Sequence, residues 1–392
     1  MSGVMKQKFK EGYDLVFAEQ WPPMTGGIWI GILSVLCFAW DRPWGVFGGI
    51  RVWGDWVFSS LGLYGTPGLD PVLSTSSILS FGLVFGALGS ALLSKQFAIR
   101  MAPGLEIIKG FVGGSFMGVG ASLAGGCNVG GFYTSVSAFS ASGLAMMVGL
   151  LAGAYLGLRY LLWELEKFPA KSGATVSKGS TEGKFDWKVT QPWIGVLVFA
   201  AGIFMAYMYS KRAFINLGGL LLFGMAFGLV IQRTRFCFVR GFRDPFMTGE
   251  GVMGRAIAVS LLISIVGFAL IKWNGFRPES AYIMNRFWLG GLLGGVIFGV
   301  GMVVAGGCGS GTLWRVGEGH VKLMCALIAF TLVGSLFSKF LNVTGLVNRI
   351  GLSVFLPASM GYVWAFLLLL AVVIAYYLLV TWNEETDKFT VF

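Results

Sequence analysis

The sequence contains few of the residues that build metal and redox centres. Among 392 residues there are one histidine and five cysteines, and the cysteines lie far apart in the chain. Their positions provide no spacing typical of a zinc or iron–sulfur site. We therefore predict no bound metal and no cofactor. A Cys-x-x-Cys pair is also missing, which counts against a thiol redox function.

Nucleotide-binding motifs and charged residues are scarce as well. There is no Walker loop and no Rossmann fingerprint, which argues against transport driven by ATP on this chain alone. Charged residues make up 12% of the chain and hydrophobic residues 56%, a composition that one water-soluble core cannot bury and that requires lipid. The net charge of +11 comes from basic residues scattered between apolar stretches. It predicts contact with anionic lipid head groups and gives no support to nucleic-acid binding.

Long uncharged stretches predict the fold class. They occupy residues 72–94, 110–158, 189–210, 213–232, 287–314 and 350–383, with shorter apolar windows at 24–40, 256–271 and 323–338. Because about 20 apolar residues cross a bilayer as a helix, we expect an all-α polytopic membrane protein with roughly nine to thirteen passes or half-passes. No aqueous domain is expected.

One apolar phrase occurs twice, as GVGASLAGGCNVGGFY and as GVGMVVAGGCGSGTLW. The repetition predicts a duplicated membrane protein with a first repeat at 1–163, a polar linker at 164–190 and a second repeat at 191–392. A further similarity, between FGLVFGALGSALLSKQFAIR and FGMAFGLVIQRTRFCFVR, sets Ala98 opposite Cys237. The repeats are therefore expected to be related without being equivalent.

Glycines surround the cysteine in both copies and weaken the helix there. A broken helix at membrane depth is tolerated only where protein encloses it or where it lines a cavity, and matched breaks in two repeats are typical of transporter binding sites. A thiol at such a break suits a ligand that contains sulfur or selenium. The candidate pathway residues of the two breaks are Gly125, Gly126, Cys127, Asn128, Gly306, Gly307, Cys308 and Gly309.

Arginines surround a third cysteine, Cys237, in the segment RTRFCFVRGFRD. Guanidinium groups favour a thiolate and a bound anion, although arginines after an apolar span also serve as ordinary membrane anchors. We include Cys237 and Arg235 among the candidate pathway residues.

A second charged cluster follows the second break, where Arg315, Glu318, His320 and Lys322 lie within eight residues. These side chains could form a charged vestibule or a proton-handling group. Alternatively they lie at the membrane surface and cap the next helix. Arg315 and Glu318 are taken as candidate pathway residues.

The chain resembles the YeeE/YedE family of sulfur-compound transporters in three motifs. These are VIQRTRFCFVRGFRD, AGGCGSGTLWRVGEGH and AGGCNVGGFY. The resemblance implies two inverted pseudo-repeats whose short or re-entrant helices meet at a central constriction, through which thiosulfate passes along cysteine thiols by hydrogen bonds. By this resemblance, Cys127 and Cys308 would provide the thiols of the constriction, and Cys237 would be the third cysteine that the anion contacts along the pathway. The Arg-Phe-Cys element in the second half and the Cys-Asn of the first break are closer to the YedE branch, which is associated with selenium metabolism.

The function expected from the sequence is therefore transport and not enzymatic catalysis. The substrate would be thiosulfate or a related sulfur or selenium anion, the location the prokaryotic cytoplasmic (inner) membrane, and a small cytoplasmic sulfur-relay protein a possible partner. Two alternatives stay open. One is a membrane thiol–disulfide redox carrier that uses Cys127 and Cys308, and the other is a membrane partner of a soluble sulfurtransferase.

Overall fold

The structure, a computed structural model, describes residues 2–65, 68–167 and 187–391. These residues form helices, and the β-type pairings among them are isolated bridges. The helices are α1 Ser2–Tyr13, a π-helix Asp14–Ala18, α2 Pro23–Trp40, α3 Phe47–Ser60, α4 Thr75–Leu93, α5 Gly104–Ala124, a second π-helix Asn128–Thr134, α6 Ser135–Ser137, α7 Ala141–Lys167, α8 Trp187–Lys211, α9 Ile215–Thr234, α10 Phe238–Met247, α11 Val252–Trp273, α12 Leu289–Ala305, α13 Gly309–Gly317, α14 Val321–Val343, a 3₁₀ turn Leu346–Asn348, α15 Leu356–Met360 and α16 Tyr362–Thr386.

Ten helical segments of the described chain are long and apolar enough to cross a membrane. The prediction of an all-α polytopic membrane protein is therefore confirmed. Three of the ten segments contain a break, at the positions of Cys127, Cys237 and Cys308. Of the predicted linker, residues 164–167 and 187–190 belong to α7 and α8, and residues 168–186 lie outside the described residues.

Glycines bring the helices into backbone contact. A Cβ atom at Gly153 of α7 would stand 2.2 Å from the carbonyl oxygen of Val296 in α12, and one at Gly114 of α5 would stand 2.2 Å from that of Ala326 in α14. Small residues of this kind allow membrane helices to pack closely without a hydrophobic driving force. These contacts fix the register between the helices that carry the breaks.

The same contacts give the directions of the central helices. The pairs in contact are Gly110 with Lys322 and Gly118 with Gly334 between α5 and α14, and Gly113 with Gly301 and Gly120 with Gly294 between α5 and α12. In the first set the residue numbers of both helices increase together, so α5 runs parallel to α14. In the second set the number in one helix increases as that in the other decreases, so α5 runs antiparallel to α12. The breaks that follow α5 and α12 therefore begin on opposite faces of the bundle. We call these the Arg286 face, where α12 begins, and the Glu318 face, where α14 begins.

The packing partners reveal two inverted sets of elements. The elements α2, α3, α4, α5, the second π-helix and α7 correspond in this order to α9, α10, α11, α12, α13 and α14. Equivalent pairs pack alike: α2 packs on α11 as α9 packs on α4, α3 on α14 as α10 on α7, and α5 on α14 as α12 on α7. The first repeat thus enters the membrane in the opposite sense to the second.

This correspondence corrects one alignment made from the sequence. The inversion pairs α4 with α11, whereas the sequence similarity had paired α4 with α9. Contacts of Gly82 with Leu221 and of Gly86 with Met225 show that α4 and α9 run parallel, which helices related by the inversion cannot do. The similar glycine patterns reflect a shared packing surface. The counterpart of Cys237 is consequently Val46, the N-cap of α3, and not Ala98.

Candidate functional site

Three cysteines begin the short helices that follow the breaks. Cys127 is the N-cap of the second π-helix, Cys237 that of α10 and Cys308 that of α13, and each has an extended backbone conformation. Their side chains are at most 1% exposed. The prediction that the breaks at Cys127 and Cys308 lie in the interior and not against lipid agrees with this burial, and the break at Cys237 was not predicted.

Each break starts with a residue in the left-handed backbone conformation. The φ angles are 76° at Gly125, 78° at Gly306 and 54° at Arg235. Glycine adopts this conformation without a steric penalty, whereas arginine adopts it at a cost that its surroundings must offset. At the first two positions the Gly-Gly pair therefore provides the turn that sends the chain back toward the membrane interior.

The two Gly-Gly-Cys breaks meet at their tips. A Cβ atom on Gly309 would lie 3.0 Å from the Cβ and 3.1 Å from the Sγ of Cys127, and 3.3 Å from Cγ2 of Val46. Across the same contact, the backbone N–H of Gly309 donates to Oδ1 of Asn128 over 3.1 Å. We call this contact the junction. It joins a segment that begins on the Arg286 face to one that begins on the Glu318 face.

Cys308 and Cys237 form a pair on one side of the junction. Both thiols lie beside Gly311 of α13. A Cβ atom on Gly311 would lie 3.0 Å from Sγ of Cys308 and 3.6 Å from Sγ of Cys237. The three cysteines selected from the sequence thus lie around the first turn of α13, with Cys127 on the other side of Gly309.

Backbone N–H groups surround the sulfur atoms. The thiol of Cys308 accepts from the N–H of Gly311 over 3.2 Å. Helix N-termini present unpaired N–H groups and the positive end of the helix dipole, so they favour anions. Cys127 and Cys237 are likewise the N-cap residues of short helices, so the first backbone N–H groups of those helices follow each of them directly.

A cavity of about 260 Å³ opens beside the first break on the Arg286 face. Gly125 and Gly126 line it together with three arginines, Arg42, Arg51 and Arg286. The Nε atom of each arginine is buried and has no hydrogen-bond partner among the described residues. The cavity, called the arginine cavity below, therefore offers guanidinium donors next to the break that carries Cys127.

The positive charge of the arginine cavity is only partly neutralised. Arg51 pairs with Asp55 at 3.7 Å, whereas Arg42 donates to the hydroxyl groups of Ser76 and Tyr282 and has no carboxylate partner in the described chain. Burial alone lowers the pKa of Arg286, since no described carboxylate opposes it. Sequence reasoning missed these arginines. The inverted alignment supplies the missing signal, because Arg42 and Arg51 flank Val46 as arginines flank Cys237.

Glu318 lies at the centre of the charged groups on the opposite face. Its side chain is fully buried, and its Oε2 accepts from Arg235 over 2.8 Å and lies 3.5 Å from Arg100. Its Oε1 accepts from Gln232 over 2.9 Å. The nearby ring nitrogen of His320 lies 3.8 Å from Oε2, and burial, with the charge of Arg100, lowers the pKa of that histidine. Glu318 thus fixes the arginine that starts the break before Cys237.

Arg315 stabilises the second break directly. Its Nη1 donates to the carbonyl oxygen of Gly306 over 2.5 Å, and its guanidinium stacks on one side of Trp314, 5.1 Å from the ring centre. Arg235 lies 5.2 Å from the same ring. Gly307 is held close to Leu323, because a Cβ atom there would lie 2.9 Å from that side chain. Arg315 therefore packs against the second break, whereas His320 is the N-cap residue of α14.

The sequence model of the family described as "Sulphur transport" matches residues 3–156 and 233–391. "Probable transporter YedE" of Escherichia coli and of Salmonella typhimurium are each 30% identical, over 80% of this chain and 79% of the relative. "Thiosulfate transporter TsuA" of Escherichia coli is 38% identical over 116 residues, which are 29% of this chain and 32% of the relative. These relatives are named as transporters, in agreement with the prediction of a protein that is not an enzyme.

Proposed function

The chain belongs to the sulphur transport family, as its motifs predicted, and from that premise we propose that it carries thiosulfate or a related sulfur or selenium anion across the membrane. The TsuA match, whose name specifies thiosulfate, covers about a third of the chain, and the YedE matches cover most of it. The proposal places the protein in the prokaryotic inner membrane. A small cytoplasmic sulfur-relay protein is the proposed partner on the side where the anion is released.

The junction is the observation that supports this function most strongly. Two breaks that begin on opposite faces meet at Cys127 and Gly309, and the proposal takes this contact as the narrowest point of the passage. The arginine cavity lies on one side, and the ion pair of Arg235 with Glu318 lies on the other. Irregular backbone at membrane depth is typical of transporter binding sites that line a cavity.

The proposed passage exchanges hydrogen bonds without forming a lasting covalent bond. An anion collects at the guanidinium groups of Arg42 and Arg286 and then passes to the S–H and N–H donors at Cys127. It moves on to the paired thiols of Cys308 and Cys237. Thiols are weak donors, so they replace part of the water around the anion without holding it. Several weak sites in a row suit conduction, because an anion must both bind and leave.

Uptake of labelled thiosulfate into liposomes that contain only this protein tests the proposal. We expect uptake above that of empty liposomes, with competition by selenite and sulfite measured in the same assay. Stronger competition by selenite than by unlabelled thiosulfate would identify a selenium oxyanion as the preferred substrate. A folded, monodisperse protein that takes up none of these anions would contradict the proposal.

A redox carrier is the second candidate, and the position of Cys237 and Cys308 beside the same Gly311 favours it. Two neighbouring thiols can become a disulfide, with the loss of two electrons and two protons to an oxidant such as a partner's disulfide. The pair would then be Cys237 with Cys308, instead of the Cys127 with Cys308 that the sequence suggested. Thiosulfate uptake that continues under constant reduction by a phosphine, with no change in rate, would exclude the redox function as the basis of transport.

A further inference from the structure

Asn128 places an unpaired donor at the junction. Its side chain is fully buried, and its Oδ1 accepts from the N–H of Gly309 over 3.1 Å. Its Nδ2 has no hydrogen-bond partner in the described parts of the chain. Buried polar groups are nearly always paired, so a buried amide nitrogen without an acceptor requires an explanation.

The orientation of this carboxamide follows from its surroundings. The N–H of Gly309 is a donor and needs an acceptor, which only the oxygen of the carboxamide supplies. The opposite orientation would set two donors against each other and leave the oxygen unpaired. Nδ2 therefore faces away from the N–H of Gly309.

The donor exists in one repeat only. Asn128 and Gly309 each follow a Gly-Gly-Cys tripeptide and occupy equivalent positions in the inverted repeats. A side chain on Gly309 would press on Cys127 and Val46, at 3.0 Å and 3.3 Å from the first added carbon. One side of the junction thus carries a carboxamide, and the other side carries no side chain.

We propose that Nδ2 of Asn128 donates a hydrogen bond to an oxygen of the passing anion and so determines specificity for oxyanions. This inference rests on the proposed transport function. Thiosulfate has a soft terminal sulfur and three harder oxygens, and the site offers both kinds of partner. The thiol of Cys127 faces the sulfur, while the amide of Asn128 and the neighbouring backbone N–H groups face oxygens. The anion supplies the acceptor that the protein lacks.

The substitution Asn128→Asp removes the hydrogen-bond donor and keeps the rest of the side chain. The aspartate keeps the oxygen that accepts from Gly309 and keeps the size of the side chain, but its ionised form has no donor. Loss of a hydrogen bond to a charged ligand predicts that the Vmax/KM of thiosulfate uptake falls by about 10- to 100-fold. Below the pKa of the new carboxyl group its O–H can donate, so uptake by the variant should rise as the pH is lowered. The wild-type protein should lack this rise.

Two further variants keep the test decisive. Asn128→Ala removes the donor without adding a charge and should lose uptake without gaining the response to pH. Ser135→Ala is the matched control, because Ser135 is buried in the same segment and donates only to the carbonyl oxygen of Gly130 among its described contacts. It should transport as the wild type does.

The outcomes separate the inference from the function on which it rests. A wild-type protein without uptake overturns both. A wild-type protein that transports, together with Asn128→Asp and Asn128→Ala variants of unchanged Vmax/KM, overturns the role of Asn128 alone. Equal losses in Asn128→Ala and Ser135→Ala, with matching losses of thermal stability, would assign Asn128 a structural role and also overturn the inference.

Discussion

A single methyl group added at Gly309 tests whether the junction is the pathway. In the Gly309→Ala variant the new carbon would lie 3.0 Å from Cβ and 3.1 Å from Sγ of Cys127. Favourable carbon contacts lie at about 3.5–4.0 Å, so the two tips must separate or Cys127 must turn away. Overpacking of this degree costs about 1–3 kcal/mol, which a membrane protein of this size can tolerate. The same energy at the narrowest point of a pathway corresponds to a loss of uptake of about 10- to 100-fold.

The assay compares thiosulfate uptake by proteoliposomes with thermal stability in detergent. Gly218→Ala is the matched control, because its new carbon would lie 2.7 Å from the carbonyl oxygen of Ala206 where the start of α9 packs on α8, whereas the break before Cys237 follows the end of α9. Both variants should lose similar stability, and only Gly309→Ala should lose uptake. If Gly309→Ala transports at the wild-type rate, the anion does not pass through the junction.

Three further predictions concern the charged groups on either side of the junction. Arg286→Gln removes a cavity guanidinium that has no described carboxylate partner, so the KM for thiosulfate should rise by about tenfold with little change in Vmax; an unchanged KM would remove the arginine cavity from the pathway. Glu318→Gln leaves Arg235 and Arg100 without their carboxylate, and because these arginines are 28% and 38% exposed we expect a loss of about 1–3 kcal/mol, less than for a fully buried pair. An unchanged melting temperature would contradict this. The pKa of His320 in the folded protein is lowered from 6.5, so just below pH 6.5 the unfolded chain binds the proton more readily than the folded chain does. The free energy of unfolding should therefore decrease as the pH is lowered through this window. The melting temperature of His320→Gln should depend less on pH there, and an equal dependence would refute the assignment.

The fold class could be predicted because the membrane imposes it on the composition. Uncharged stretches and paired glycines predicted membrane helices and two interior breaks, and backbone hydrogen bonding in lipid leaves few other solutions. The positions of Cys127 and Cys308 at the N-termini of short helices follow from the Gly-Gly pairs that precede them. These features depend on residues that are close together in the sequence.

Features that depend on distant contacts could not be predicted in the same way. Cys237 and Cys308 lie beside the same Gly311 although they begin two different helices, α10 and α13, and nothing in either segment specifies this neighbour. The similarity of α4 and α9 was misleading, because helices that need the same close backbone contact use glycine in the same pattern. For the same reason Val46 was overlooked as the counterpart of Cys237. The arginine cavity was missed because its arginines belong to connecting segments and to α3, outside the repeated phrase.

The most direct test of the central claim is thiosulfate uptake by cysteine variants in proteoliposomes. Cys127→Ala and Cys308→Ala, alone and together, remove thiols at the junction. Cys325→Ala and Cys325→Ser are the controls, because this half-buried thiol belongs to α14 and to none of the three breaks. The account predicts that the junction variants lose uptake and that the controls retain it. Wild-type uptake by the Cys127→Ala, Cys308→Ala double variant would contradict the account.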